Sequence, residues 1–360
     1  MDQTIRWLSP LLRNPNRLPP LHNIGEISWD HGRGPRNDDE ETIMEYRILG
    51  RTGLRVSEIG LGTWAIGGPA MLGDRPIGWG KTDDATSLRT LAACLDLGIN
   101  FIDTADVYGK GHSEELIGRA FKGQRHRVII ATKVGNRDTP ERGWFKDFSR
   151  QWVTQAVEAS LRRLQTDYID LYQLHSPDRD FQYTPEVFDV FEDLKRAGKI
   201  RFYGVSVGPW EHGLSVIETG RGDTLQVLFN VLQRDAASGL FPVAEQHNIG
   251  IIVRVPLASG FLTGKYTADT RFPPDDHRSV SYPPERIREI VARVERLKVL
   301  ARQWGKPLAQ LALQYCLSYS AVSTVIAGAK TPEQLRQNAA ASDGRLLTPE
   351  QIRALESAAG

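Results

Sequence analysis

The chain has 360 residues, 40% hydrophobic and 25% charged, enough to bury a large core as one big domain or two ordinary ones. Lys and Arg number 45 against 44 Asp and Glu, and the net charge of +1 gives no bulk electrostatic case for a nucleic-acid or membrane-surface protein. Cys94 and Cys316 lie far apart in helix-like segments and match no metal or redox spacing, so both are expected as buried apolar thiols. No apolar run approaches the ~20 residues needed to span a bilayer. The N-terminus lacks the apolar core of a secretion signal, which points to a cytoplasmic protein.

Residues 1–44 are rich in Pro, Asn, Arg and Asp, carry the acidic run Asp38-Asp39-Glu40-Glu41, and read as a poorly ordered extension. Residues 45–360 read as one domain. YRILG, the turn Arg51-Thr52-Gly53 and LRVSEIGLG predict a small N-terminal β-hairpin running into a first strand at Ile59. Thr82, Asp83 and Asp84 supply cap residues for a helix through Leu97, and Gly98 ends it before a strand over 100–103. The rhythm then repeats, with strands over 128–133, 168–175, 200–206, 225–230, 251–255 and 323–326. Helices are predicted over 113–121, 149–164, 185–196, 211–218, 241–247, 285–304, 308–318 and 332–341. Eight strands, each followed by helix, predict a closed (β/α)₈ TIM barrel rather than an open sheet.

Other architectures fail on their own signatures. Gly60-Leu61-Gly62 and Gly109-Lys110-Gly111 both lack the third glycine of a dinucleotide-binding G-x-G-x-x-G turn. GFLTGKY at 260–266 has only three residues between its glycines, and Tyr266 replaces the hydroxyl residue of a phosphate loop. His112, His175 and the nearby carboxylates match no metalloprotease or zinc spacing.

In a parallel barrel, chemistry belongs to the C-terminal strand ends. NFIDTADVYG leaves Asp103, Asp106 and Tyr108 at one such end, RVIIATKVG places Lys133 at the next, and YIDLYQLHSPD places His175 at the one after. A phenol has a reference pKa of about 10, and a close ammonium stabilises its phenolate and lowers that value. Lys133 is expected to play this part for Tyr108, with Asp103 holding Lys133 and His175 orienting a substrate oxygen by a hydrogen bond. That is a carbonyl-reducing site with Tyr108 as proton donor. Singly, each residue has an ordinary structural explanation; four at successive strand ends favour the chemical one.

These residues carry a resemblance: the chain resembles the aldo-keto reductases. The matching motifs are LRVSEIGLGTW, GINFIDTADVYGKGHSEELIGRA, VIIATKVG, SLRRLQTDYIDLYQLHSPD, GKIRFYGVS, PLASGFLTGKY and VIAGAKTPEQLRQN, spanning about Tyr46 to Asn338. The resemblance implies a barrel that binds a nicotinamide dinucleotide without a Rossmann domain, with Asp103, Tyr108, Lys133 and His175 as its catalytic tetrad. It assigns Ser206 and Gln226 to the nicotinamide carboxamide, Pro256, Leu257 and Ser259 to the pyrophosphate side, and Gly328, Lys330, Gln334 and Asn338 to the adenosine end. Gly62, Thr63, Trp64, Asp103, Arg254 and Lys265 complete the implied cofactor contacts.

The chain departs from the family pattern at particular positions. Val207 follows Ser206 where members commonly have Asn, shifting carboxamide anchoring toward Gln226 and Asn230. Arg254 stands where many members stack a tyrosine on the nicotinamide, and its planar guanidinium can also stack on an aromatic face. Gln334 and Gly328 replace an Arg and a Lys, leaving Lys330 as the clearest cation for a 2′-phosphate. This favours NADP(H), with NAD(H) as the second cofactor. Trp64, Trp79, Trp144 and Phe145 fall in loops at the active mouth and are expected to wall an apolar pocket. The implied partner is a small-molecule carbonyl or alcohol substrate, with no nucleic acid and no membrane. Two other functions fit the same residues: a channel-associated regulatory subunit that binds cofactor with little turnover, and a lyase using Lys133 as a Schiff-base lysine.

Overall fold

Eight short apolar runs, each followed by helix, close into a barrel in the computed structural model, which describes residues 44–360. Residues 1–43, and the reading of them as a poorly ordered extension, lie outside the described residues; Met44, read with the extension, is buried in the barrel core. An antiparallel hairpin, β1 (Tyr46–Ile48) and β2 (Arg55–Ser57), precedes the first barrel strand, β3 (Ile59–Gly62). A small pair, β4 (Met71–Leu72) and β5 (Arg75–Pro76), follows it. Helix α1 (Asp84–Asp96) starts where the Asp83 carboxylate accepts the Thr86 N–H, filling one of the donors a helix start leaves open.

The barrel continues with β6 (Phe101–Asp103), α2 (His112–Ala120) and β7 (Ile129–Val134). A second hairpin, β8 (Asn136–Thr139) and β9 (Gly143–Lys146), follows directly, then α3 (Arg150–Leu164) and β10 (Ile169–His175). Next come α4 (Asp189–Arg196), β11 (Ile200–Ser206), α5 (Glu211–Glu218), β12 (Thr224–Leu228), α6 (Ala236–Gly239), α7 (Phe241–Gln246) and β13 (Gly250–Arg254). After a long loop with α8 (Arg278–Ser281) lie α9 (Pro284–Gln303), α10 (Leu308–Leu317), β14 (Val322–Gly328), α11 (Pro332–Ala339) and α12 (Pro349–Ala359). Strands pair in the order β3, β6, β7, β10, β11, β12, β13, β14 and back to β3, all parallel.

Strand period two sorts the barrel interior into layers. Leu49, Leu54 and Val56 of the hairpin region pack with the inward Phe101, Ala131, Leu171, Ile252 and Ile326 as one apolar cluster. The hairpin sits at the N-terminal strand ends, where Arg51 N–H donates to Asn248 O (2.7 Å) and Asn100 Nδ2 to Arg55 O (2.9 Å). Two residues further along the same strands come Asp103, Lys133, Gln173 and Arg254. The polar layer therefore rests on a dry plug. A larger core lies between strands and helices and contains both cysteines, whose thiols burial pushes up.

Several elements differ from the sequence reading, the short helices α6 and α8 among them. The β8–β9 hairpin carries mixed polar and aromatic residues with no apolar run, so Trp144 and Phe145 are on a strand rather than in a loop. The β4–β5 pair is only two residues a side. Helix α12 carries its own start signal, a capping box in which Thr348 accepts the Gln351 N–H (3.3 Å) while Gln351 Oε1 accepts the Thr348 N–H (2.9 Å).

The N-terminal face of the barrel is tied by Asp170, whose carboxylate accepts from Arg125 (2.6 Å), Arg201 (2.7 Å) and the Ile130 N–H (3.0 Å). Asp170→Ala should cost about 3 kcal/mol, the low end for breaking a buried pair because Arg201 is half exposed. Chemical denaturation measures this; a loss under about 1 kcal/mol would mean the carboxylate merely decorates the face.

Candidate active site

Asp103, Lys133 and Gln226 meet in the barrel lumen. Lys133, fully buried on β7, donates to Asp103 Oδ1 at 2.6 Å and to Thr104 O at 2.7 Å. From β12, across the barrel, Gln226 Nε2 donates to Asp103 Oδ2 at 2.7 Å, and Gln173 approaches the same oxygen at 3.5 Å. Ser206 Oγ donates to Gln226 Oε1 at 3.3 Å. Thr63 reinforces the strand end through its hydroxyl, which donates to Asp103 O at 2.9 Å.

Tyr108 follows β6 on a tight turn. Gly109 adopts φ +60°, and a Cβ there would lie 2.1 Å from Gly67 O, so the turn is locked against the loop after β3. Trp64 from that loop stacks on Tyr108, with centroids 5.7 Å apart and planes at 15°. Lys133 Nζ lies 3.4 Å from the Tyr108 hydroxyl, and the His175 ring meets the tyrosine edge-on at 5.8 Å. All four strand-end residues thus converge.

The electrostatics correct one expectation. Burial pushes the Tyr108 phenol above its ordinary value, and the nearby Lys133 ammonium does not bring it back down. That ammonium is engaged at 2.6 Å by Asp103 and reaches the phenol only at 3.4 Å. Burial works against charge on Lys133 too, yet Asp103 and then Tyr108 hold its pKa above the ordinary lysine value. Burial likewise raises Asp103 against the pull of Lys133. His175 is pushed far down, first by burial and then by Lys133, Lys146 and Arg254, so its imidazole is neutral.

A cleft of about 970 Å³ opens from these groups. Every member of the expected tetrad and of the cofactor contacts implied by the resemblance lines it except Thr63 and Lys133, which stand behind its wall. Trp64, Trp79 and Trp144 belong to the wall; Phe145 does not, and packs instead against Arg142, whose guanidinium carbon is 3.9 Å from its ring centroid. Asn230, expected as a carboxamide anchor, is fully buried and committed to a turn, donating to Val255 O (3.0 Å) and accepting from the Leu232 N–H (2.9 Å). Among the described residues no group of three or more His, Cys, Asp or Glu is arranged to hold a metal ion, and no helix is long and apolar enough to cross a membrane.

The structure adds residues that sequence reasoning missed. Arg278, in the irregular segment after β13, donates to Asp276 (2.6 and 2.9 Å), Tyr266 Oη (2.6 Å) and Ser259 O (3.3 Å), and its guanidinium carbon is 4.5 Å from the Trp79 ring centroid. It faces the same end of the cleft as Lys265 and Lys330. Two links join this segment to the loop after β3: His277 N–H donates to Gly78 O at 2.8 Å, and Trp79 bridges Asp276. Lys330 Nζ donates to Trp79 O. Nothing in the local composition of 265–283 announces these contacts. Asn136 and Lys146, beside His175, were missed for want of the β8–β9 pairing.

A family model described as the aldo/keto reductase family matches residues 58–359. The chain belongs to the aldo/keto reductase family. The aldo-keto reductase YhdN of Bacillus subtilis is 38% identical over 301 residues, covering 81% of this chain and 87% of that protein. The NADH-specific methylglyoxal reductase of Escherichia coli is 33% identical, covering 83% of this chain and 93% of its own length. Among solved structures, aldo-keto reductase AKR11C1 from Bacillus halodurans in its holo form superposes with a TM-score of 0.72 at 34% identity, covering 88% of this chain and 97% of that one. This reductase therefore shares with its relatives the barrel fold and an oxidoreductase class.

The closure of the cleft makes a pH prediction. Burial pushes the His277 imidazole down to about 4, against the pull of Asp276. Its folded value is below the unfolded one near 6.5, so its contribution is full above pH 6.5 and is lost as pH falls toward 4. Between those limits the wild type should lose roughly 3 kcal/mol more than His277→Gln. Denaturant unfolding across that range checks it; parallel stability curves would contradict it.

Proposed function

We propose that this reductase is an NADP(H)-dependent oxidoreductase that interconverts a small aldehyde or ketone and its alcohol, with Tyr108 as proton donor. The observation that carries the reading is the buried contact of Asp103, Lys133 and Tyr108 beside neutral His175, at the head of a cleft whose other end holds Lys265, Arg278 and Lys330. A nicotinamide dinucleotide fits this charge distribution. Its phosphates would meet the three cations and its nicotinamide would lie among Ser206, Gln226 and Arg254, where the buried Arg254 Nε has no hydrogen-bond partner. Bound there, the cofactor supplies the hydride.

The protein's part is to hold and release one proton. At neutral pH the raised Tyr108 phenol is protonated, the state a donor needs, and an alkoxide forming on the substrate is the stronger base. Lys133 beside the phenol stabilises the phenolate left behind, and His175 holds the carbonyl oxygen. Trp64, Ile77, Val107 and Trp144 offer an apolar wall to the rest of the substrate. The lyase reading loses support, because Lys133 is fully buried and paired with Asp103, unlike an accessible neutral nucleophile.

Tyr108→Phe deletes only the hydroxyl, so carbonyl reduction should fall roughly 10²- to 10⁴-fold while NADPH binding persists. Full turnover with normal cofactor affinity would transfer the donor role elsewhere. For the cofactor, Lys330→Ala should weaken NADPH by about 1 to 3 kcal/mol and leave NADH nearly unchanged, the pattern of a lost charge-assisted bond to a 2′-phosphate. Fluorescence titration with both cofactors measures it, and equal losses would remove Lys330 from that role.

A further inference from the structure

Between the barrel and the β8–β9 hairpin lies a hydrogen-bond network that the proposed mechanism leaves unused. Gly135 links β7 to β8 with φ +129°, and a Cβ there would lie 1.9 Å from the Phe148 ring, so only glycine lets the chain pass straight into the hairpin. Asn136, the first hairpin residue, pairs across the hairpin with Lys146. Its side-chain oxygen receives two donors, Lys146 Nζ at 2.8 Å and Trp144 Nε1 at 3.0 Å. Its amide nitrogen lies 3.0 Å from His175 Nδ1. Lys146 also donates to His175 O at 2.8 Å.

The network has one solution. An indole N–H and an ammonium can only donate, so the asparagine atom between them must be the oxygen. The NH₂ group then faces His175, and Nδ1 can only accept. A neutral imidazole that accepts at Nδ1 carries its hydrogen on Nε2. Burial keeps that ring neutral, and among the described residues Nε2 has no hydrogen-bond partner. We infer that Asn136 is a positioning residue that holds His175 as the Nε2–H tautomer, leaving that N–H as donor to the substrate oxygen. The inference rests on the carbonyl-reducing reading of the site. It makes the β8–β9 hairpin a support for the chemistry as well as a wall of the cleft.

The test uses two variants with opposite demands. Asn136→Asp keeps both acceptor contacts, to Trp144 and Lys146, but presents an acceptor to Nδ1. Asn136→Ala removes the group and leaves the tautomer free. In the full chain labelled with ¹⁵N at histidine, and assigned with His175→Gln, wild type should show His175 unprotonated at Nδ1 and protonated at Nε2. Asn136→Asp should show Nδ1 protonated and lose roughly 10- to 100-fold in kcat, more than Asn136→Ala, with NADPH affinity unchanged in both. Wild-type His175 protonated at Nδ1 would overturn the inference. So would Asn136→Asp keeping wild-type turnover while Asn136→Ala loses it, the pattern of a structural contact. A wild type that reduces no carbonyl compound would overturn the function proposed above, and the ¹⁵N spectrum would still decide the part played by Asn136.

Discussion

The Asp103–Lys133 ion pair is the constraint around which the site is built. Two opposite charges at 2.6 Å in the barrel lumen carry a desolvation penalty of several kcal/mol each, which their attraction offsets only with good geometry and full hydrogen bonding. Both conditions hold. Asp103 accepts from Lys133 and Gln226, Lys133 donates also to Thr104 O, and the apolar layer of Phe101, Ala131, Leu171 and Ile252 keeps water from the far side. Losing either partner would strand a buried charge, at about 3 to 5 kcal/mol.

Other features follow from that pair. Because Lys133 is spent mostly on Asp103, the phenol of Tyr108 is held up by burial and keeps its proton at neutral pH. Because burial, and then Lys133, Lys146 and Arg254 around it, act against charge on His175, the imidazole stays neutral and its role reduces to the placement of one N–H. The division of labour is therefore electrostatic: one residue holds a proton, one holds charge, one points. The cofactor end is organised separately, with Arg278, Lys265 and Lys330 gathered beneath the link between Trp79 and Asp276.

Much of this is legible in the sequence because strand-end residues announce themselves twice, by type and by position. Asp103, Lys133 and His175 each close a short apolar run, and Asp103 and Lys133 each stand two residues beyond an inward apolar side chain of the plug. The cap of α1 at Asp83 was equally readable, since it depends on neighbours in the chain. What escaped depends on partners distant in sequence or on a balance of opposing terms. Arg278 opens α8 after a long loop, and its contacts with Ser259, Tyr266 and Trp79 are all tertiary. Asn136 acquires meaning only from its register with Lys146. Asn230 has the right chemistry for carboxamide binding but spends it on Val255 O and on its own turn. The direction of the Tyr108 shift needed two distances, 2.6 and 3.4 Å, that no spacing encodes.

The pair with Asp103 leaves Lys133 only partial influence over the Tyr108 proton. This is tested most directly by titrating the Tyr108 phenol through its ¹³Cζ resonance in the cofactor-free protein, wild type beside Lys133→Met. The wild-type phenol should ionise above the ordinary tyrosine value of about 10, and higher still once the ammonium is removed. A wild-type Tyr108 that ionises well below that value, or one indifferent to the loss of Lys133, would contradict this.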